Sequence, residues 1–161
     1  MTVEFLVNRF NLLPHPEGGF YKETYRNENK ELFTNFNGKR NLSTAIYFLI
    51  EQNNFSAFHK IKSDEMWHFY YGDALEVIEI NEIGELKHTV IGNQIQKGET
   101  FQYNVKANTW FASRVYKNGT FSFVGCTVAP GFDFLDFELA SASDLILNYP
   151  QHKQVIMQLT R

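Results

Sequence analysis

Short apolar and aromatic runs, each closed by a tight turn, fill the chain from residue 44 to residue 128. Their length and their content of aromatic and β-branched side chains favour strands. The predicted strands are Thr44–Ile50, Phe55–His59, Glu65–Tyr71, Leu75–Ile80, Glu85–Ile91, Trp110–Tyr116 and Thr120–Val128. Between the last two, Lys117-Asn118-Gly119 is a strong hairpin signal. Many short strands at this spacing indicate an antiparallel barrel or sandwich.

The chain ends predict short helices and loops instead. A helix is expected over residues 2–11, because the Thr2 hydroxyl can accept a hydrogen bond from the first turn. Residues 13–19 contain two prolines and two glycines and are predicted to be irregular.

Beyond the last predicted strand, residues 132–137 carry apolar side chains at both parities and fit either a strand or a packed loop. Ser143 can cap a helix that ends near Asn148, before a proline. Residues 154–160 can form one or two final helical turns. The C-terminal part is therefore expected to be a helical appendage to a β domain.

Composition and charge exclude several classes of protein. The 161 residues fit one domain, and 43% hydrophobic residues suffice for a packed core. The net charge of −3 is spread without a basic stripe, which argues against nucleic acid as a partner. No apolar run approaches the roughly 18 residues of a membrane span, and the first residues do not resemble a signal peptide. Cys126 is the only cysteine and lies in an apolar run, so a buried thiol and a reducing, cytoplasmic location are expected.

One stretch combines polar chemistry with aromatic walls. His59 closes one predicted strand, and Glu65 opens the next after a short polar turn. On an antiparallel pair these two side chains would meet across the ladder. Strand alternation places Trp67, Phe69 and Tyr71 on the face of Glu65. A carboxyl group beside an imidazole in an aromatic pocket can act as a general acid–base pair.

The same stretch resembles the first sequence motif of the cupins, in which two histidines, a glutamate and a closing glycine are spaced along two strands. His59, Glu65 and Gly72 match the first histidine, the glutamate and the glycine. Ile61 stands where the second histidine would be, and Phe111 stands at the histidine of the second motif. The resemblance therefore implies a metal site that lacks two of its four usual ligands.

Five segments of the chain resemble the small single-domain cupins of unknown function grouped as cupin type 5. They are residues 13–26, 43–49, 59–75, 125–139 and 149–152. The resemblance implies a single cupin domain over residues 1–161. It also implies a mainly β fold, namely a double-stranded antiparallel β-barrel or jelly roll with short N- and C-terminal helices. A ligand cavity inside the barrel and a homodimer are further implications, whereas no known reaction is implied.

The predicted catalytic residues are His59 and Glu65. The predicted ligand-binding residues are Glu17, Tyr21, Trp67, His68, Phe69, Trp110, Phe111 and Arg114. Arg114 can anchor an anionic group, because a guanidinium binds carboxylate or phosphate in a fork. Since Trp110 and Arg114 share one strand face and Phe111 takes the other, either face can border the cavity.

The loop at residues 15–19 and the side chain of His68 can each be interpreted in two ways. The loop at residues 15–19 can be merely rigid, or it can cover the barrel mouth and contribute His15, Glu17 or Tyr21 to the site. His68 follows Glu65 by three residues, so a regular strand points it to the opposite face as a hydrogen-bonded histidine. A bulge would bring it back to the same face.

Three functions are compatible with these residues. The first is a metal-independent sugar or carbonyl isomerase or epimerase, with His59 as general base, Glu65 orienting it and Arg114 anchoring an anionic part of the substrate. The second is a non-enzymatic ligand-binding or storage protein. The third is a metal-dependent enzyme in which His68 joins His59 and Glu65 as a third ligand, the number usual at catalytic zinc. A small molecule in the barrel is the expected partner, and no cofactor is predicted for the first two.

Overall fold

The computed structural model describes all 161 residues, which form mainly short β-strands. They are β1 (Leu13–Pro14), β2 (Phe20–Arg26), β3 (Lys30–Leu32), β4 (Lys39–Asn41), β5 (Thr44–Glu51), β6 (Phe55–Ile61), β7 (Asp64–Gly72), β8 (Leu75–Ile80), β9 (Leu86–Ile91), β10 (Gln102–Val105), β11 (Trp110–Val115), β12 (Phe121–Ala129) and β13 (Phe137–Leu139). All the strands predicted between residues 44 and 128 are present, with ends shifted by at most two residues. Strands β2 and β3 expose most of their side chains, so the hydrophobic pattern carried no signal for them.

Three α-helices lie near the chain ends: α1 (Val3–Phe10), α2 (Ala142–Asn148) and α3 (Lys153–Gln158). Thr2 caps α1 as predicted, and its Oγ1 accepts a hydrogen bond from the Phe5 N–H at 3.2 Å. The cap of α2 is Ser141, not the predicted Ser143, because Ser141 has the extended backbone of an N-cap and Ser143 already lies in the first turn. None of these helices combines the length and the apolar character that crossing a membrane requires.

The strands form two antiparallel sheets that pack face to face as a jelly roll. The larger sheet has the order β1–β2–β5–β12–β7–β10, and the smaller has the order β13–β6–β11–β8–β9. A separate hairpin joins β3 to β4. Phe48 and Trp67 from the larger sheet meet Phe111 from the smaller one in a single buried apolar cluster. Burial of such side chains from both sheets is the main force that holds the layers together.

Strands β6 and β7 lie in different sheets. Residues 62–63 carry the chain across, so β6 pairs with β11 and β13, whereas β7 pairs with β10 and β12. In these ladders His59 faces Phe111, and Glu65 faces Val128. The predicted contact of His59 with Glu65 across one ladder is therefore wrong, because the two residues belong to opposite walls of the sandwich.

A buried ion pair fixes the segment that follows β12. Residues 132–136 form an irregular stretch with a 3₁₀ helix at Phe134–Asp136, and β13 begins at Phe137. Arg40 from β4 donates through Nε and Nη2 to the two carboxylate oxygens of Asp136, at 2.6 and 3.0 Å. The two side chains are only 4% and 5% exposed. This pair holds the segment at one end of the space between the sheets.

Candidate functional site

A cavity of about 510 Å³ opens between the two sheets. On the larger sheet it is lined by a row of ladder neighbours on four adjacent strands, namely Arg26 on β2, Thr44 on β5, Val128 on β12 and Glu65 on β7. The smaller sheet contributes His59 from β6. The other lining residues are His15, Glu17, Tyr21, Glu23, Ile46, Cys126, Phe132, Asp133 and Phe134. Because Arg26 is exposed and Glu65 is buried, the cavity opens on the β2 side and ends at Glu65.

The loop at residues 15–19 enters this cavity. Gly18 and Gly19 have φ angles of +112° and +77°, which only glycine adopts readily. The turn lets the loop lie against β6, where the Ala57 N–H donates to the Glu17 carbonyl at 2.9 Å. The Glu17 residue is only 8% exposed, and its side chain points inward. Of the two interpretations that the sequence allowed, the structure therefore has the one in which the loop lends side chains to the cavity.

Replacing Gly18 by alanine is expected to lower the free energy of unfolding by about 2–3 kcal/mol. The added Cβ would overlap the Phe55 carbonyl oxygen, and the positive φ disfavours any L side chain. Gly98→Ala is the matched control, since Gly98 has a φ of +85° but nothing lies within 4 Å of its added Cβ. Urea unfolding of both variants separates the overlap from the backbone strain. Equal losses in the two variants would mean that the loop does not press against β6.

The Glu17 carboxyl group bridges the two buried histidines of the cavity. Its Oε1 lies 3.2 Å from His15 Nδ1, and its Oε2 lies 3.0 Å from His59 Nδ1. Ser56, which is fully buried, donates a short hydrogen bond to the same Oε2. Burial raises the pKa of Glu17, and both His15 and the Ser56 hydrogen bond oppose that shift. The four side chains thus form one connected polar cluster on the β6 side of the cavity.

His59 is held in a single tautomer. Its Nδ1 lies 2.7 Å from the Ala57 carbonyl oxygen. Because a carbonyl can only accept, Nδ1 carries the proton and Nε2 keeps a free lone pair. Burial lowers the pKa of His59 to about 4, against the opposing effect of the Ala57 hydrogen bond, so the ring is neutral at pH 7. A neutral imidazole with an unprotonated Nε2 is the form in which histidine acts as a general base.

Glu65 lies on the opposite wall, next to Cys126. Burial raises the pKa of Glu65 to about 8, the nearby Glu17 adds to the shift, and the Cys126 hydrogen bond opposes it. The carboxyl group therefore keeps its proton at pH 7. Burial, followed by the neighbouring Glu65, also raises the pKa of the Cys126 thiol. Cys126 is thus buried and protonated, which matches the unreactive thiol expected from the sequence.

Arg26 lies at the open end, and its guanidinium is already engaged. Its Nε and Nη2 donate to the two carboxylate oxygens of Glu23 at 3.0 and 2.7 Å. Its Nη1 donates to Asn41 Oδ1 at 2.9 Å and to the Phe132 carbonyl at 3.1 Å. Arg26 and Glu23 were not among the predicted site residues, because only the register of β2 against β5 shows that they line the cavity.

The family described as Cupin superfamily (DUF985) matches residues 4–140 of the chain. The chain belongs to this cupin family. Among solved structures, a hypothetical protein from Leishmania major is 34% identical, with a TM-score of 0.94 over 99% of both chains. The X-ray crystal structure of a protein from Shewanella oneidensis is 40% identical, with a TM-score of 0.90 over 100% of this chain and 98% of the other. The cupin resemblance and the mainly β jelly-roll fold predicted from the sequence are thereby confirmed.

Two further proteins are similar to this chain at lower identity. An uncharacterized protein of Saccharomyces cerevisiae is 28% identical over 156 residues, which cover 89% of this chain and 77% of the relative. Oxalate decarboxylase from Bacillus subtilis is 12% identical, with a TM-score of 0.57 over 91% of this chain and 36% of the other. At that level of identity only the fold is shared. The cupin fold supports a ligand-binding role for this chain without specifying an activity.

Of the ligand-binding residues predicted for this cupin, Glu17 and Tyr21 line the cavity and the other six do not. Trp67 is 1% exposed and lies in the core between the sheets, where Phe69 packs against the same cluster. Phe111 is buried behind the imidazole of His59, with 4.1 Å between the ring centroids. These three aromatic side chains therefore lie behind the wall of the cavity and do not line it.

The remaining three predicted residues face away from the cavity. Arg114 Nε donates to its ladder neighbour Glu76 on β8 at 2.8 Å, which corrects the predicted anchoring role in the cavity. Trp110 packs against the apolar cluster under the C-terminal helices. One ring nitrogen of His68 lies 2.9 Å from Thr127 Oγ1, on the face of β7 opposite Glu65. Regular alternation of the strand, with no bulge at this point, puts His68 there.

The cupin fold raises the question of a metal, and the residues present do not fit one. Ile61 and Phe111, at two of the usual ligand positions, are buried apolar side chains. His68, the third ligand in the metal hypothesis, lies on the other face of its strand from Glu65. No three His, Cys, Asp or Glu side chains converge in a metal-binding geometry. The set of His59, Glu65 and His68 is therefore not assembled as a ligand sphere.

Proposed function

We propose that this cupin is a metal-independent isomerase or epimerase that moves a proton next to the carbonyl group of a small polar molecule. One observation carries the proposal. A neutral imidazole with a free Nε2, from His59, and a carboxyl group that keeps its proton, from Glu65, line the same cavity from opposite walls. Titratable groups whose environments push their pKa values apart are typical of acid–base sites.

In the proposed reaction, His59 is the base and Glu65 is the acid. His59 Nε2 removes a proton from the carbon next to the carbonyl, while Glu65 gives its proton to the carbonyl oxygen. The product of this step is a neutral enediol, so no net charge builds up on the substrate in the buried site. The proton on His59 then moves to the former carbonyl carbon, and Glu65 recovers a proton from the neighbouring hydroxyl. Both residues end in their starting forms, and the carbonyl has moved by one carbon.

Glu17 orients the base in this scheme, a role that the sequence had suggested for Glu65. Its Oε2 lies 3.0 Å from the Nδ1 of His59, on the side of the ring away from Nε2. When His59 takes a proton, the positive charge of the ring faces this carboxyl group and the Ala57 carbonyl. A carboxyl group in this position fixes the tautomer and stabilises the imidazolium, as in other acid–base sites built on histidine.

A non-enzymatic binding protein is the second candidate, and one observation favours it. The pKa of His59, about 4, makes the imidazole of the empty cavity a weak base. Proton abstraction requires that a bound substrate raise this pKa by excluding water and strengthening the contact with Glu17. If no such change occurs, the cavity holds its ligand without altering it.

Hydrogen exchange in D₂O separates the two candidates. The protein is incubated with a panel of aldoses and ketoses, and deuterium at the carbon next to the carbonyl is followed by NMR. Wild-type protein is expected to catalyse exchange on at least one of these sugars. His59→Gln is expected to reduce that exchange about 100-fold, since it removes the base but keeps a hydrogen-bonding side chain.

His88→Gln is the control for the exchange experiment, because His88 is 42% exposed and pairs with Glu76 outside the cavity. This variant should exchange deuterium at the wild-type rate. Exchange that survives in both His59→Gln and Glu65→Gln would rule out the proposed roles. Binding of a sugar by the wild type without any exchange would favour the non-enzymatic candidate.

A further inference from the structure

We infer that the ligand of this cavity carries a positively charged amino group, as an amino sugar does. The inference rests on the proposed function only in taking the cavity as the ligand site, and it does not require proton transfer. Three features of the lining carry it: the balance of carboxyl and cationic groups, the engagement of the single guanidinium, and the aromatic side chains at the open end.

Carboxyl groups outnumber cationic side chains in the lining by four to one. Glu17, Glu23, Glu65 and Asp133 all border the cavity, whereas Arg26 is its only arginine and no lysine lines it. Glu65 keeps its proton at pH 7, so a bound anion would face the other three carboxyl groups and only one cation. A bound ammonium group, by contrast, would find several acceptors for its N–H donors.

The single guanidinium does not reverse this balance. Four of the five N–H groups of Arg26 are already donated, two to Glu23 and one each to Asn41 and Phe132. Arg26 pairs with both carboxylate oxygens of Glu23. A guanidinium would bind the carboxylate or phosphate of a ligand in the same two-point geometry. An anionic ligand would have to displace Glu23 from Arg26 before it gained an equivalent contact.

The two histidines of the cavity add no positive charge. The side chains of His15 and His59 are only 6% and 3% exposed. Burial lowers the pKa of both, so each ring is neutral at pH 7. A negative group at the closed end would meet two neutral imidazoles, the uncharged carboxyl group of Glu65 and the buried carboxyl group of Glu17, and no cation to compensate its charge. The closed end therefore disfavours an anion as well.

Aromatic side chains complete the site at its open end. Phe132 and Phe134 line the cavity on either side of Asp133 in the sequence, and the Phe132 carbonyl accepts a hydrogen bond from Arg26 at the open end. Tyr21 also lines the cavity, but its ring lies 4.6 Å from that of His15. The rings of Phe132 and Phe134 are 5.0 Å apart and nearly perpendicular, at 81°. An ammonium group is attracted to aromatic ring faces, and a neighbouring carboxylate strengthens its binding. Aromatic rings together with a carboxylate are suited to a cationic amine.

Three probes that share one carbon skeleton test the inference: D-glucosamine, D-glucose and D-gluconate. Their dissociation constants are measured at pH 7 by NMR titration of the wild-type protein. D-glucosamine is expected to bind about tenfold more tightly than D-glucose, and D-gluconate no more tightly than D-glucose. The inference is overturned if D-gluconate binds as tightly as D-glucosamine, if all three bind alike, or if none binds.

The Glu23→Gln variant sharpens the test, because it removes one carboxylate and leaves Arg26 with one acceptor oxygen in place of two. Its preference for D-glucosamine over D-gluconate is expected to shrink at least about threefold relative to wild type. Glu138→Gln is the control, since Glu138 is exposed and its ion pair with Lys60 lies outside the cavity. An unchanged preference in Glu23→Gln would count against the charge argument.

The binding experiment tests the charge of the ligand and the deuterium-exchange experiment tests proton transfer, so one proposal can be overturned while the other stands. A preference for anions combined with exchange that depends on His59 would overturn only the inference about charge. A preference for the amine without exchange on any sugar, D-glucosamine included, would leave the charge inference in place and remove the proposed proton transfer.

Discussion

Replacing Glu65 by glutamine is expected to make the stability of the protein less dependent on pH, by about 4–5 kcal/mol between pH 4.5 and pH 8. In the wild type, burial raises the pKa of Glu65 from 4.5 in the unfolded chain to about 8 in the folded state. Between these values the folded state holds a proton that the unfolded chain has lost. Stability therefore falls as pH rises, by about 1.4 kcal/mol per pH unit for one such group.

The glutamine of the variant does not titrate, so its advantage over wild type should grow from pH 4.5 to pH 8 and then level off. Urea unfolding at several pH values measures the difference directly. Glu31→Gln on the exposed strand β3 is the control, and its offset from wild type should stay constant over the same range. A constant offset for Glu65→Gln as well would mean that Glu65 is ionised at neutral pH and cannot be the acid of the proposed reaction.

Replacing Arg40 by methionine is expected to lower the free energy of unfolding by about 3–5 kcal/mol. The substitution leaves the Asp136 carboxylate buried without its bidentate partner, and only Lys62, 4.0 Å away, remains nearby. The Asn37 and Lys39 carbonyls, which accept from Arg40 Nη1, lose their donor too. Because an isolated buried charge is costly, the loss should greatly exceed that of an exposed ion pair.

Two variants make the Arg40 result specific. Lys39→Met removes an exposed cation from the same strand and should change stability by no more than about 0.5 kcal/mol. Combining Arg40→Met with Asp136→Leu removes both charges and should recover much of the lost stability. If the double variant were as unstable as Arg40→Met, the loss would come from packing or from the carbonyl contacts rather than from the unpaired carboxylate.

The fold followed from local patterns because those patterns are strong in the middle of the chain. Runs such as Thr44–Ile50 are buried between layers, and their apolar character marks them as strands. The helix cap at Thr2 likewise depends only on neighbours in sequence. Strand β2 escaped prediction because most of its side chains are exposed, so its place beside β5 is a long-range property that no short window contains.

The site was only partly predictable for the same reason. His59 and Glu65 were found because a sequence motif marks them, yet their arrangement depends on how a short turn directs β7 into the other sheet. Arg114 was predicted as an anion-binding residue because it has a guanidinium group, but that group is hydrogen-bonded to its ladder neighbour Glu76. Arg26 carried no local mark and reaches the cavity only through pairing with β5. Chemistry can be read from residue type, whereas access to a cavity depends on strand register.

The crossing of the chain between β6 and β7 has a consequence for how this protein can evolve. His59 and Glu65 are only six positions apart in sequence, yet their immediate neighbours are drawn from separate sets of strands. Substitutions on β11 and β13 alter the surroundings of the imidazole, and substitutions on β10 and β12 alter those of the carboxyl group. A substitution on one wall can therefore change the surroundings of one residue and leave the ladder neighbours of the other unchanged, whereas Glu17, which contacts His59 and raises the pKa of Glu65, links the two.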